Sequence, residues 1–216
     1  MTRGYSCIIL VSVYLLTQGF EMKLSKKQKE IVNISIELIA DLGIQGFTIK
    51  NLSKRLGVTE GAIYRHFDSK TEILFSILRA FQEESSTTLA GTCLSNRSAM
   101  DDIAYIFEHH FNYFSEKPAV AAVIFSESIF QNNNLLSKEV YKLLEMHEET
   151  LMCIIERGQT SGELRNGNIS KVQLVRLIIG SIRYTVTKWR LTNYGFDIRE
   201  EGKTLLENIK ELLKAN

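Results

Sequence analysis

The chain has 216 residues, 44% of them hydrophobic and 24% charged, which is ordinary for a globular protein able to bury a sizeable core. Collagen-like, disulfide-scaffold and wholly disordered chains are excluded, and the length allows one or two domains. The formal net charge of +1 excludes a generally basic nucleic-acid binder.

That charge is unevenly spread. Residues 22–70 carry nine Lys/Arg against five Asp/Glu, a balance of +4. Residues 71–216 carry sixteen against nineteen, a balance of −3. A basic N-terminal module followed by a slightly acidic body is expected, with domains at 22–70 and 71–216. The lone proline, Pro118, leaves long helices unbroken. Cys7, Cys93 and Cys153 have no metal or redox spacing, which fits a reducing cytosol and a cytoplasmic protein.

Residues 1–21 form an N-terminal extension. Its run Cys7–Leu16 is ten residues long, too short to span a bilayer as a helix, which needs about 20. With Arg3 before it, the run resembles a signal-peptide core, but no small-x-small cleavage pattern follows. Three readings stand: Met22 is the natural start, the extension packs on the body, or it is a targeting segment. No transmembrane span is expected.

From Met22 onward helical periodicity dominates. Ser25 and Gln28 form a capping box, and Ile31, Ile34, Leu38 and Leu42 follow at helical spacing until Gly43. Thr48 caps a short helix with Ile49, Leu52 and Leu56 facing inward, and Gly57 breaks it. Thr59 caps a third helix with Ala62, Ile63 and Phe67. Ser69 and Glu72 open a long helix to about Leu89, and Gly91–Arg97 reads as a loop. Ser98 starts an aromatic-rich helix containing Tyr105, Phe107, Phe111, Tyr113 and Phe114. Pro118 interrupts it, and a shorter helix covers about 119–130. Helices over about 135–158, 171–193 and 197–214 complete the chain, with a glycine-punctuated turn at Gly158–Asn168. No convincing strand pattern appears, so the fold is all-α.

Residues 48–67 carry the chemistry. Two short helices meet at Gly57, and Ser53, four residues earlier, is small enough for close approach. That is the construction of a helix-turn-helix, whose second helix enters the DNA major groove. Thr48 and Thr59 sit at helix N-termini, where hydroxyls and backbone amides meet phosphates. Tyr64 and Lys70 offer a hydroxyl and an ammonium to phosphate oxygens. Glu60, Gly61 and Ala62 lie in the first turn of the second helix. There Gly61 lets the backbone approach the groove, Ala62 suits a thymine methyl, and Glu60 suits a cytosine amine or caps the helix.

The order Thr-Ile-Lys-Asn-Leu-Ser-x-x-Leu-Gly-Val, then Gly-Ala-Ile-Tyr-x-His-Phe-x-Ser-Lys, resembles the DNA-binding domain of the TetR family of bacterial transcriptional regulators. The likeness covers about residues 25–75, and Ile155–Leu164 is similar to a turn of the family's regulatory domains. The resemblance implies an all-helical homodimer, a three-helix N-terminal reader and a larger C-terminal domain. That domain would hold a small-molecule pocket and dimerise through the last two helices, about 171–193 and 197–214. It implies phosphate contacts from Thr48, Tyr64, His66 and Lys70, and base-facing positions at Lys50, Glu60, Gly61, Ala62 and Arg65. Asn51 stands where the family often has an acid. The partners so implied are a double-stranded DNA operator and an unidentified small apolar or amphipathic effector, with no membrane partner. The protein would act as a repressor on a near-palindromic site.

Each of these has a plainer alternative. Tyr64 and His66 can pack internally, and Lys26, Lys27 and Lys29 can form a solvated face. The aromatics of the body are core packing or an effector pocket built from Phe107, Phe111, Phe114, Met146, Tyr184 and Trp189. Adjacent His109 and His110 point to different helix faces, which disfavours a metal site with Glu108, Glu145 and His147. No metal, cofactor or catalytic constellation is expected, and the enzyme reading has no motif to support it.

Overall fold

Ser25 opens the first helix as the sequence predicts. Its hydroxyl accepts from the Gln28 N–H, and Gln28 Oε1 accepts from the Ser25 N–H, which completes the capping box. The structure, a computed structural model, describes residues 24–93, 96–126, 130 and 133–215, so the readings of residues 1–21 and of Gln131 and Asn132 lie outside the described residues.

Helix α1 spans Lys26–Gly46 and buries Ile31, Val32, Leu38 and Ile39. Gly43 inside it has φ 67° and ψ 178°, open to glycine at little cost. The predicted stop is therefore a bend, and a last turn leads to Phe47, whose N–H donates to the Gly43 carbonyl. The remaining helices are α2 (Ile49–Leu56), α3 (Glu60–Tyr64), α4 (Lys70–Cys93), α5 (Ala99–Glu116), α6 (Pro118–Ile124), α7 (Asn134–Ser161), α8 (Lys171–Leu191) and α9 (Ile198–Leu213). The described residues form no strand beyond one isolated antiparallel bridge, Leu164 with Lys214. The all-α expectation holds.

Three further helix ends differ from the sequence reading. α6 stops at Ile124, short of the expected end near 130: Phe125 leaves the helical conformation and its N–H closes the last turn on the Ala121 carbonyl. α4 runs past Gly91 to Cys93, since the cost of about 1 kcal/mol for a helical glycine yields to packing around buried Leu89 and Thr92. α7 runs through Gly158 to Ser161. A Cβ on Gly158 would lie 2.5 Å from Leu164 Cγ and 2.7 Å from Ala99 Cβ, so this glycine allows close approach rather than a turn. The turn falls at Gly162, with φ 79°.

The chain divides into two compact units. Among the described residues, one contains 24–83 together with those of Lys117–Leu143. Here α1 packs on α6 and on α2, over a core of Phe47, Leu52, Ile63, Phe67 and Ile73. Asn133 caps α7 by accepting from the Leu135 and Leu136 N–H groups. Buried Glu139 is paired with Arg79 at 3.2 Å and Lys142 at 2.8 Å.

The other unit contains Glu84–Glu116 and Leu144 onward. α9 packs on α5 and α8, over Ile103, Phe107, Phe114, Ile155, Val186 and Leu206. The Glu163 carboxylate accepts from the Ala99 and Met100 N–H groups at 2.8 Å each and so caps α5. Fully buried Asp102 is neutralised by Arg97 at 2.8 Å and by Arg157. The stretch 155–164 is therefore a clamp on the start of α5: Arg157 and Glu163 supply charge, and Gly158 supplies room.

Candidate nucleic-acid interface

Burial of Leu52, Ile63 and Phe67 dictates the geometry of the α2–α3 pair. Each is at most 1% exposed and stabilises the fold by about 1.5–3 kcal/mol. At the joint, Gly57 adopts φ 65° and ψ 32°, the left-handed conformation that lets the chain turn sharply. The Val58 N–H donates to the Ser53 carbonyl at 3.0 Å, and the Ser53 hydroxyl is spent on the Lys50 carbonyl at 2.9 Å. Small Ser53 is thus buried at this joint, with its carbonyl bonded across the turn.

Both predicted caps are present. Thr48 Oγ1 accepts from the Asn51 N–H at 3.1 Å, and Thr59 Oγ1 accepts from the Ala62 N–H at 3.2 Å. Asn51 has a second role that its sequence context does not signal. Its Nδ2 donates to the Gly46 carbonyl at 2.8 Å and ties α2 back to the end of α1. An acid at this position has no proton to give at neutral pH.

With Ile63 buried, its neighbours point outward. Thr48, Lys50, Thr59, Glu60, Gly61, Tyr64 and Arg65 are exposed, while Ala62, His66 and Lys70 are half-buried. Tyr64 is 49% exposed, so it is not a core aromatic. Lys70 Nζ stands 5.1 Å from the Phe47 ring centroid, and burial pulls its pKa down. Arg55, on the same short helix as Lys50, is engaged by Asp41 at 2.9 Å. Lys27 pairs with Glu30 at 3.0 Å, while Lys26 and Lys29 are exposed.

Gln28 also reaches this region. Its Nε2 donates to the His66 carbonyl at 3.0 Å, 38 residues away. The capping spacing predicts only the bond to Ser25; nothing in the local sequence signals the second.

In the other unit the predicted pocket residues separate. Phe107, Phe111, Phe114, Met146 and Trp189 are buried, whereas Tyr184 is 69% exposed. Phe107 and Phe111 border a cleft of about 300 Å³ with Gly202, Leu206, Arg199 and Lys203. A Cβ on Gly202 would meet the Phe111 ring at 2.4 Å, so α9 sits directly on that ring. Met146 Sδ takes a hydrogen bond from the Ser86 hydroxyl at 3.3 Å. Trp189 Nε1 donates to the Phe196 carbonyl at 2.9 Å and packs edge-on against Tyr194. His110 and His147 meet through their Nε2 atoms, and no group of three or more His, Cys, Asp or Glu among the described residues is placed to hold a metal. No helix among those residues is long and apolar enough to cross a membrane.

Comparison with known proteins agrees with this geometry. Residues 31–77 match the family model described as bacterial regulatory proteins, tetR family, and residues 78–215 match that of the YsiA-like protein, C-terminal region. The chain is 26% identical over 182 residues to the fatty acid metabolism regulator protein of Bacillus subtilis, covering 84% of this chain and 92% of that one. In fold it is similar to the ketosteroid transcriptional regulator KstR2 of Mycobacterium tuberculosis, with a TM-score of 0.77 at 16% identity over 90% of this chain and 98% of that one. It is likewise similar to the transcriptional regulator FadR from Bacillus subtilis solved with stearoyl-CoA, with a TM-score of 0.72 at 24% identity over 86% and 97% of the two chains.

Proposed function

The chain belongs to the TetR family of bacterial regulatory proteins, and on that premise we propose that it is a ligand-responsive repressor that binds a near-palindromic operator as a homodimer. One observation carries the reading. An exposed row of Lys50, Thr59, Glu60, Gly61, Tyr64 and Arg65 is mounted on a helix pair whose inner side is anchored by buried Leu52 and Ile63. Thr48, Tyr64, His66 and Lys70 contact phosphates; Lys50, Glu60, Gly61, Ala62 and Arg65 face bases. Thr48 and Thr59 accept within their helices and keep the hydroxyl proton to donate to a phosphate oxygen.

Dimerisation is assigned to α8 and α9. Leu177, Tyr184 and Leu191 recur every seven residues along α8 and are 49%, 69% and 83% exposed. Gly180 lies between them with open space above it, which suits close approach of a second helix. Two copies would place their α3 helices in successive major grooves, roughly 34–36 Å apart.

The effector is a small apolar or amphipathic molecule held by the second unit, on the aromatic set around Phe107, Phe111, Phe114 and Met146. The stearoyl-CoA bound to the similar Bacillus subtilis regulator supports that class. Effector binding favours a dimer whose α3 spacing no longer fits the operator, and DNA affinity falls only as far as the effector discriminates between the two states.

The test is titration of the protein with a duplex taken from the DNA flanking its own gene. Specific binding that weakens steeply with salt is expected, because neutralised phosphates release counterions. Absence of binding at low salt overturns the reading.

A further inference from the structure

We propose that Gln28, outside the helix-turn-helix, is a positioning residue for DNA recognition; the proposal rests on the DNA-binding reading above. α3 has five residues, too few to hold its own shape or direction. Its start is fixed by the Thr59 cap and the Gly57 turn. Its end is the peptide of His66, and two anchors hold it. On one side, the His66 and Phe67 N–H groups return to the Ile63 carbonyl at 2.9 and 3.1 Å, and Phe67 is buried. On the other, Gln28 Nε2 donates to the His66 carbonyl at 3.0 Å.

The same carboxamide is held at its other atom. Gln28 Oε1 accepts from the Ser25 N–H at 3.0 Å, so the side chain cannot swing away without opening the α1 cap. α1 is a firm base, because it packs on both α2 and α6. The carboxamide therefore bridges the start of α1 and the end of α3. Tyr64 and Arg65, both exposed, immediately precede the clamped peptide. Recognition tolerates about 0.5 Å and 10–20° of misplacement, and a loose end on so short a helix exceeds that. Only a carboxamide serves both ends: a carboxylate keeps the acceptor and loses the donor, and a thioether of similar length has neither.

A residue that merely caps α1 would behave differently, and three variants separate the roles. Each is titrated with the flanking-DNA duplex and with a scrambled duplex of equal length, and its thermal midpoint is measured. Gln28→Met removes both bonds, and Ser25→Ala removes the serine half of the cap while leaving the His66 bond in place. Gln28→Glu keeps the acceptor for Ser25 and removes the donor to His66. Gln28→Met and Gln28→Glu are expected to lower the ratio of specific to scrambled affinity about fivefold to tenfold, the worth of one hydrogen bond. Using the ratio cancels the added charge of glutamate. Ser25→Ala is expected to leave the ratio within about twofold although it too loses helix stability. The proposal is overturned if Gln28→Glu, folded by its melting curve, keeps the ratio of the unaltered protein. It is also overturned if Ser25→Ala lowers the ratio as much. Failure of the unaltered protein to bind either duplex overturns the DNA-binding reading itself, and this proposal with it.

Discussion

The Nε2 atoms of His110 and His147 lie 3.1 Å apart, and His110 Nδ1 lies 2.8 Å from the Ile106 carbonyl oxygen. A carbonyl only accepts, so the proton of neutral His110 sits on Nδ1, and its Nε2 offers a lone pair. The hydrogen in the shared contact therefore belongs to His147. A second proton on His110 would set two N–H groups face to face inside the unit. Burial first, then the nearby His147 and His109, pull the pKa of His110 down to about 3, against the raising effect of the Ile106 carbonyl. His109 in turn has Glu84 at 3.8 Å.

The sign of the pH effect follows. The unfolded chain binds a proton at His110 below about 6.5, whereas the folded chain resists until about 3. The stability from neutral His110 is complete above about 6.5 and is lost as pH falls toward about 3. His110→Gln does not titrate, so its melting temperature should fall less steeply than that of the unaltered protein between those limits. Parallel curves for the two proteins would refute the assignment.

Tyr64→Phe keeps the ring and removes the hydroxyl. A lost hydrogen bond to a charged phosphate costs about 1.5–3 kcal/mol and carries no sequence information. Binding to flanking and scrambled duplexes should therefore weaken together. Glu60→Gln should instead change which base is preferred, read from a panel of single-base substitutions in the flanking duplex. A Tyr64→Phe protein that loses specific binding alone would remove Tyr64 from the phosphate set.

Gly158→Ala pushes a methyl group against Leu164 and Ala99, which are 2% and 1% exposed. Overpacking of this kind costs about 1–3 kcal/mol. Glu163→Ala strips the Ala99 and Met100 N–H groups of their acceptor and should cost about 1 kcal/mol, as for other helix caps. Because both act on the same clamp, the double variant should lose less than the sum of the singles. Urea unfolding of the three variants measures this, and strict additivity would show the two sites to be independent.

Much of the first unit was legible because its signals are local. Ser25, Thr48 and Thr59 announce helix starts three residues ahead of the amides they cap, and Gly57 marks the turn. What escaped were contacts whose partners are remote in sequence or whose residue has two plausible jobs. Gln28 reads as a cap, yet half its function lies 38 residues away. Asn51 reads as a departure from an acidic pattern, yet its Nδ2 closes the α1–α2 corner. Gly158 reads as a breaker, because sequence cannot distinguish a glycine needed for φ from one needed for space. In the aromatic set, apolar character placed Phe107 and Trp189 inside correctly but could not reveal that Tyr184 faces outward.

That outward face yields the last prediction. Leu177, Tyr184 and Leu191 form one line along α8, and Gly180 leaves a gap between the first two. If a second copy covers this line, Tyr184→Glu sets a charge opposite its own copy across the two-fold axis, where neither can be solvated. The variant should sediment as a monomer at micromolar concentration while keeping the thermal transition of the first unit. Operator binding should fall far more than binding to a single half-site, since the second reading head contributes by effective concentration alone. Gly180→Leu should act through shape, filling the gap that the partner helix needs. A Tyr184→Glu protein that remains dimeric and binds the full operator would move the dimer contact to another face.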